Sequence, residues 1–388
     1  MKIVIAIDSF KGATSSIQAG TAIEKGIKKY HADKTLVIPV GDGGENSLQA
    51  LAHALSDYEW IWYSCKNAFF EDSKVAVLSF YDNGKKTCAI ETAAIFGLHD
   101  KKVSRDTVKQ TSTFGLGTLL KQLQMDDYKK IIIFIGGTIT TDGGLGMLQG
   151  LGVRLHDKDH RELSLTENPL LKIKTFDQNS LDTVLKQFAD VEIAVGCDVD
   201  APLYGEKGAA VMFARQKGAQ DDQIIFLDNQ LQLVAKLLKR DLKQPYYGAG
   251  GGIAAALSLF ATSVSSGFTL LNTYLHIEDK MKDMDLVITG EGRMDEQSLQ
   301  GKLPVCIASI AKQMQVPVIA VCGQKKGEVS SFDTYFNGVF SIQPGVVTLL
   351  DAITNTEKNL EEFSYQLMRS LHAIHHFRLL KLSLKSFL

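Results

Sequence analysis

The chain has 388 residues, more than one ordinary hydrophobic core holds, so two domains are the starting expectation. Hydrophobic residues make up 45% and charged residues 22%, the balance of a soluble globular protein. A formal net charge of −2 with scattered basic residues leaves no footprint for nucleic acid, and no apolar run nears the roughly 18 residues of a membrane span, so neither partner is expected.

The first run, "KIVIAI" (2–7), is cut short by Asp8 and reads as a strand rather than a signal peptide. Ile23, Ile27 and Tyr30 then share a helical face. "TLVIPV" (35–40) is a second strand, and Leu48, Leu51, Ala52 and Leu55 give the stripe of the helix after it. Residues 75 to 92 predict a β-hairpin with Asn83-Gly84 as its turn. "KIIIFIGG" (130–137) is a further buried strand. Residues 152 to 280 mix short strands, "EIAVG" and "AAVMF", with glycine-rich joints such as "YYGAGGGIAAAL". "DLVITG" (285–290), "PVIAVCG" (317–323) and "GVFSI" (338–342) complete the set. Between the first two of these, Pro304 fits a first helical turn ahead of Ile307, Ile310, Ala311 and Met314. "HAIHH" (372–376) reads as a helix face, and no zinc site is expected. Five scattered cysteines (Cys65, Cys88, Cys197, Cys306, Cys322) without a CxxC predict reduced thiols in a cytoplasmic protein.

Continuous apolar strands separated by helices predict a parallel sheet covered on both faces. The middle reads as a second α/β domain inserted into the first. The expected boundaries are 1–60, 97–150 and 281–388 for the first domain, and 61–96 with 151–280 for the second.

Ligands of open parallel sheets bind beyond the carboxyl ends of the strands. There this chain concentrates "DSFKGATSS", "GDGGEN", "GGTITTDGG", "GEGRMDEQSLQGK" and "GCDVDAPLYGEKG", five loops expected to converge on one edge. Amides freed by glycine can surround phosphate oxygens, Lys and Arg neutralise charge, and carboxylates hold Mg²⁺ or take a proton; the set suits phosphoryl transfer. "GGTITTDGG" is the first candidate for a phosphate cradle. A lone DGG is more often a turn, Glu291 and Arg293 could simply pair, and Asp198 and Asp200 could cap a loop. No GxxxxGK[ST] occurs, and "GLGMLQG" misses the dinucleotide spacing, so the residues alone point to an α/β phosphotransferase.

Taken together, "MKIVIAIDSFKG", "PVGDGGENSLQAL", "AIETAAIFGL", "FGLGTLL", "IGGTITTDGGLGMLQGLG", "CDVDAPLYGEKGAAVMFARQKGA", "GAGGGIAAAL" and "DLVITGEGRMDEQSLQGKLP" resemble the bacterial glycerate kinase family, in the family's order. The resemblance implies two α/β domains, one Rossmann-like, with the active site in the cleft between them. It also implies D-glycerate and ATP as partners, Mg²⁺ as cofactor, and 2-phosphoglycerate as the expected product. Whether the chain is a monomer or a homodimer stays open. Departures from the family pattern include Ile7 in place of Pro, Asn46 in place of Gly, Thr141 in place of Asn, and Arg215. Asn46 and Thr141 keep a kinase of another small hydroxy acid as an alternative; a non-catalytic glycerate or nucleotide sensor is the second, and the intact "GEGRMD" and "GCDVD" argue against it.

Within that resemblance, Asp8, Ser9, Lys11 and Arg293 are the expected substrate contacts, with Lys11 and Arg293 neutralising carboxylate or phosphate. Gly136, Gly137, Thr138, Asp142, Gly143, Gly144 and Lys302 are expected around phosphates. Asp42, Glu45 and Asp295 are candidates for Mg²⁺. Asp198 is the expected general base, with Asp295 second.

Overall fold

The structure is a computed structural model and describes residues 1–97, 103–296, 298–299 and 301–385. In chain order the strands are β1 (Lys2–Ile5), β2 (Lys34–Val37), β3 (Glu59–Lys66), β4 (Asp72–Asp82), β5 (Lys85–Glu91), β6 (Lys130–Ile135) and β7 (Leu155–His156). They continue with β8 (Thr175–Phe176), β9 (Glu192–Cys197), β10 (Ser263–Ser266), β11 (Leu286–Met294), β12 (Val318–Lys325) and β13 (Gly338–Ser341). The chain forms two compact units, one of Met1–Gly41 with the chain from Leu275 on, the other of Asp42–Tyr274.

In the first unit the sheet order is β13-β12-β11-β1-β2, and every pairing is parallel. Ile3, Ile5 and Ile7 pack with Ala19, Ile23 and Ile27 of the helix Ser16–Tyr30 and with Leu360 and Met368 of the helix Thr356–Lys385. The helix Ser16–Tyr30 starts at a capping box, in which the Gln18 amide donates to the Ser15 hydroxyl and the Ser15 amide donates to the Gln18 side chain.

The second unit carries a sheet in the order β10-β9-β6-β5-β4-β3, parallel from β10 through β5 and antiparallel beyond. The predicted hairpin is β4–β5, turning at Asn83 and Gly84, whose φ values of 49° and 78° suit a primed turn. Ile131, Ile133, Ile135, Ile193 and Val195 form the centre of its core.

Two expectations change. β6 pairs with β5 and β9, so residues 97–150, like 42–60, belong to the second unit instead of the first. Local apolar pattern marks a buried strand but does not say which sheet it joins. "AAVMF" is the helix Ala209–Phe213, because Ala209 and Ala210 pack inward while Val211 and Met212 stay exposed. A five-residue apolar run does not separate helix from strand by periodicity.

Candidate active site

Because residues 130–135 sit in the second unit's sheet, the five polar loops fall on two sheets, not one edge. Three belong to the second unit. Cys197 of β9 pairs with Ile135 of β6, so Asp198 and Gly136 leave neighbouring strands side by side, and the Asp198 amide donates to the Ile135 carbonyl at 3.1 Å. A Cβ on Gly136 would stand 2.6 Å from the Gly44 Cα and 2.7 Å from Asp198 Oδ2, so glycine is required for the loops to meet. On the other side, Gly43 lies against Gly267, where a Cβ would stand 2.6 Å from the Gly267 Cα. Asp42 and Glu45 flank this contact, with Asp42 Oδ1 accepting from the Gly44 amide at 2.8 Å and Glu45 reaching the backbone of Gly137. The structure thus brings Asp42, Glu45, Gly136, Gly137 and Asp198 together. The neighbouring Thr138 hydroxyl is buried without a protein partner, which leaves a polar atom to be met by water or ligand oxygen.

The rest of the expected cradle turns inward. Asp142 is wholly buried, and its carboxylate accepts from the Thr113 amide (2.7 Å) and hydroxyl (2.8 Å) and from the amides of Gly144 (3.0 Å) and Gly146 (3.2 Å). The Gly143 amide donates to the Gly251 carbonyl at 3.0 Å. These amides are therefore already satisfied, and Asp142, Gly143 and Gly144 brace the loop instead of holding phosphate. Burial pushes the Asp142 carboxyl up, against the pull of those donors.

Two residues that the sequence reading passed over complete this unit. Lys217 is buried and donates to the Thr140 carbonyl at 2.6 Å. Burial pushes its ammonium down to about 8, while Asp198 and Asp142 act to keep it charged. Glu91, at the end of β5, accepts from the Leu48 amide at 2.7 Å and so occupies the N-terminus of the helix Ser47–Ala54. Burial pushes Glu91 up to about 7, opposed by the amides of Leu48, Asn46 and Ser47 and assisted by Glu45. The only outward signal for either was a charged residue inside a stretch carrying the family resemblance.

The first unit holds the other group. Asp8 follows β1, its amide donating to the Gly290 carbonyl (2.9 Å) and its carboxylate accepting from the Ser9 amide (2.7 Å). The backbone of Phe10 and Lys11 borders Gly292 of β11. Glu291 does not pair with Arg293. It is buried, with Lys302 Nζ 3.9 Å away, and burial pushes its carboxyl up against the pull of Ser298, Lys302 and Lys11. Arg293 Nε instead forms an ion pair with Asp295 Oδ2 at 3.1 Å, and the Asp295 amide donates to the Ser298 hydroxyl.

Asp42, Glu45 and Asp198 offer only carboxylate oxygen, the donor chemistry of Mg²⁺. Among the described residues they form no closed group of three ligands. That fits an ion held by one or two carboxylates together with the phosphates of its nucleotide.

Glycine-lined carboxylates at the ends of parallel strands in one unit, and Lys and Arg at the ends of parallel strands in the other, are the residue types of an α/β phosphotransferase. The sequence profile of the Glycerate kinase family matches residues 3–372, and the chain belongs to that family. It is 36% identical to Glycerate 2-kinase of Escherichia coli over 93% of this chain and 95% of that one. It is 36% identical to Glycerate kinase of Haemophilus influenzae over 96% and 99%. The solved structure from Salmonella typhimurium described as glycerate kinase 2 superposes with a TM-score of 0.78 at 34% identity, covering 97% of this chain and 99% of that one.

Proposed function

We propose that this protein transfers the γ-phosphoryl group of ATP to the 2-hydroxyl of D-glycerate, giving 2-phosphoglycerate. The observation that carries the reading is the gathering of Asp198, Asp42 and Glu45 around Gly44, Gly136 and Gly137 in a chain that matches the glycerate kinase family from residue 3 to 372.

Asp198 is the base. It takes the proton of the 2-hydroxyl as that oxygen bonds to the γ-phosphorus and the bond to the ADP oxygen breaks. Lys217, anchored on the Thr140 carbonyl, supplies a buried positive charge that interacts with Asp198. Asp42 and Glu45 would hold Mg²⁺, which when bound offsets the charge of the β- and γ-phosphates. Gly136 and Gly137 allow close approach of phosphate oxygen to backbone, next to the Thr138 hydroxyl. Lys11 and Arg293 neutralise the glycerate carboxylate or the phosphates, with Asp8 and Ser9 shaping the substrate end and Lys302 a further phosphate contact.

Of the two family departures that point to another hydroxy acid, Asn46 has an internal explanation. Asn46 has φ 69°, a left-handed conformation that Gly and Asn tolerate best. Thr141 is buried, and its carbonyl accepts from the Asn168 side chain at 3.1 Å. Asn46 thus reads as a turn residue and not a substrate contact, whereas the Thr141 hydroxyl, like that of Thr138, is buried without a protein partner.

The test supplies Mg-ATP and D-glycerate with enolase alone, or with enolase and phosphoglycerate mutase. Phosphoenolpyruvate with enolase alone is the expected result. A requirement for mutase would move transfer to the 3-hydroxyl, and glycerate-independent ADP release would overturn the reading. Asp198→Ala is expected to lower turnover on the order of 10² to 10³-fold with an unchanged circular dichroism spectrum.

A further inference from the structure

At the other end of the first unit's sheet, three side chains have no part in this chemistry. Lys2 pairs with Lys34, so the turn at residues 31–33 lies where β1 and β2 begin, opposite the carboxyl ends that carry Lys11 and Glu291. There Asp33 turns its two carboxylate oxygens to two imidazoles: Oδ1 lies 3.3 Å from His31 Nδ1, and Oδ2 lies 2.7 Å from His372 Nε2. The three ligand atoms all fall within 4.8 Å of one another. The Asp33 side chain is fully enclosed, and Oδ1 also accepts from the Met1 α-ammonium. The His31 and His372 rings are 4.4 Å apart at 35°, and Tyr30 closes over His372 at 5.6 Å.

We propose that His31, Asp33 and His372 form a site for a borderline divalent transition metal, of which Zn²⁺ is the best match. Two imidazole nitrogens and one carboxylate oxygen are ligands that Zn²⁺ takes at about 2.0–2.2 Å, which puts neighbouring ligand atoms about 3.3–3.6 Å apart in a tetrahedron. The observed spacings bracket that range, so small side-chain rotations complete the geometry. His31 is half exposed and leaves the fourth position open to water. Imidazole ligands separate this site from the carboxylate-only donors proposed for Mg²⁺. Because His372 comes from the helix Thr356–Lys385 and the other two ligands from the turn before β2, the ion clasps that helix to the sheet. Residues 372–376 do lie in that helix, and the proposal adds a ligand role for His372.

The test titrates Zn²⁺ into chelator-treated, tag-free protein against a chromophoric zinc indicator, with excess Mg²⁺ present to occupy oxygen-only sites. One Zn²⁺ per chain is expected, together with a Zn²⁺-dependent rise in Tm. His31→Gln and His372→Gln are each expected to weaken binding by more than the roughly 10–100-fold that a supporting partner is worth, and to abolish the rise in Tm. Kinase activity should be unchanged in both variants. No stoichiometric binding, or binding unchanged by either substitution, would overturn the site. So would binding that survives His31→Gln but is lost in His376→Gln, since the ion would then sit on the helix alone.

Discussion

Lys217 is a buried cation whose charge Asp198 and Asp142 both favour, which links it to the base proposed for the reaction. An ionised carboxylate beside buried β-strands is costly unless a positive charge shares its surroundings. With the ammonium pushed down to about 8, it is mostly charged at neutral pH and titrates just above it. Lys217→Met is therefore expected to lower kcat on the order of 10²-fold. It should also move the acid limb of the kcat/KM profile to higher pH, since removing a positive charge disfavours the ionised form of a carboxylate that interacts with it. Wild-type activity should fall as pH rises through about 8, a limb that the variant lacks. A purely structural lysine would lower activity without shifting either limb, and that outcome would remove Lys217 from the mechanism.

At the scale of the element, the helix Ser47–Ala54 is held at its N-terminus by Glu91, from a different part of the chain. Its raised folded-state value, about 7 against 4.5, means that the folded protein binds the proton more tightly than the unfolded chain does. The associated stability is fully present below pH 4.5 and is lost as pH rises through about 7. The difference is on the order of 3 kcal/mol. Glu91→Gln keeps an acceptor for the Leu48 amide without the charge, so its urea midpoint should exceed the wild-type value at pH 8 and approach it at pH 5. A variant less stable than wild type at pH 8 would mean that the amides outweigh burial. This cap also shows what the sequence could not convey. Asp42, Glu45, Gly136, Gly137 and Asp198 stood out because glycine and carboxylate occur together at strand ends. Glu91 and Lys217 carry no such local mark, and their roles arise from burial and from partners 43 and 77 positions away. Asp142 carried the mark and turned inward, because Thr113 and its own helix amides reach it first.

At the scale of the whole molecule, strands were legible and their sheet was not. The run 130–135 is continuous and apolar in either sheet, and only its pairing with β5 and β9 decides the matter. That pairing gives the second unit an unbroken chain segment, Asp42–Tyr274, with a large core cluster drawn, among the described residues, from Tyr63 to Leu257. The first unit has the opposite construction. β1 lies between β2 and β11, so its sheet needs residues from both sides of the segment 42–274. Residues 42–274 expressed alone are accordingly expected to fold, with a single cooperative urea transition and a near-UV circular dichroism signal. Residues 1–41 and 275–388 should each remain unfolded when expressed separately, because neither contains a complete set of neighbours for the parallel strands. If the isolated segment 42–274 instead binds a hydrophobic dye and loses its near-UV signal, its core depends on the rest of the chain and the units do not fold independently.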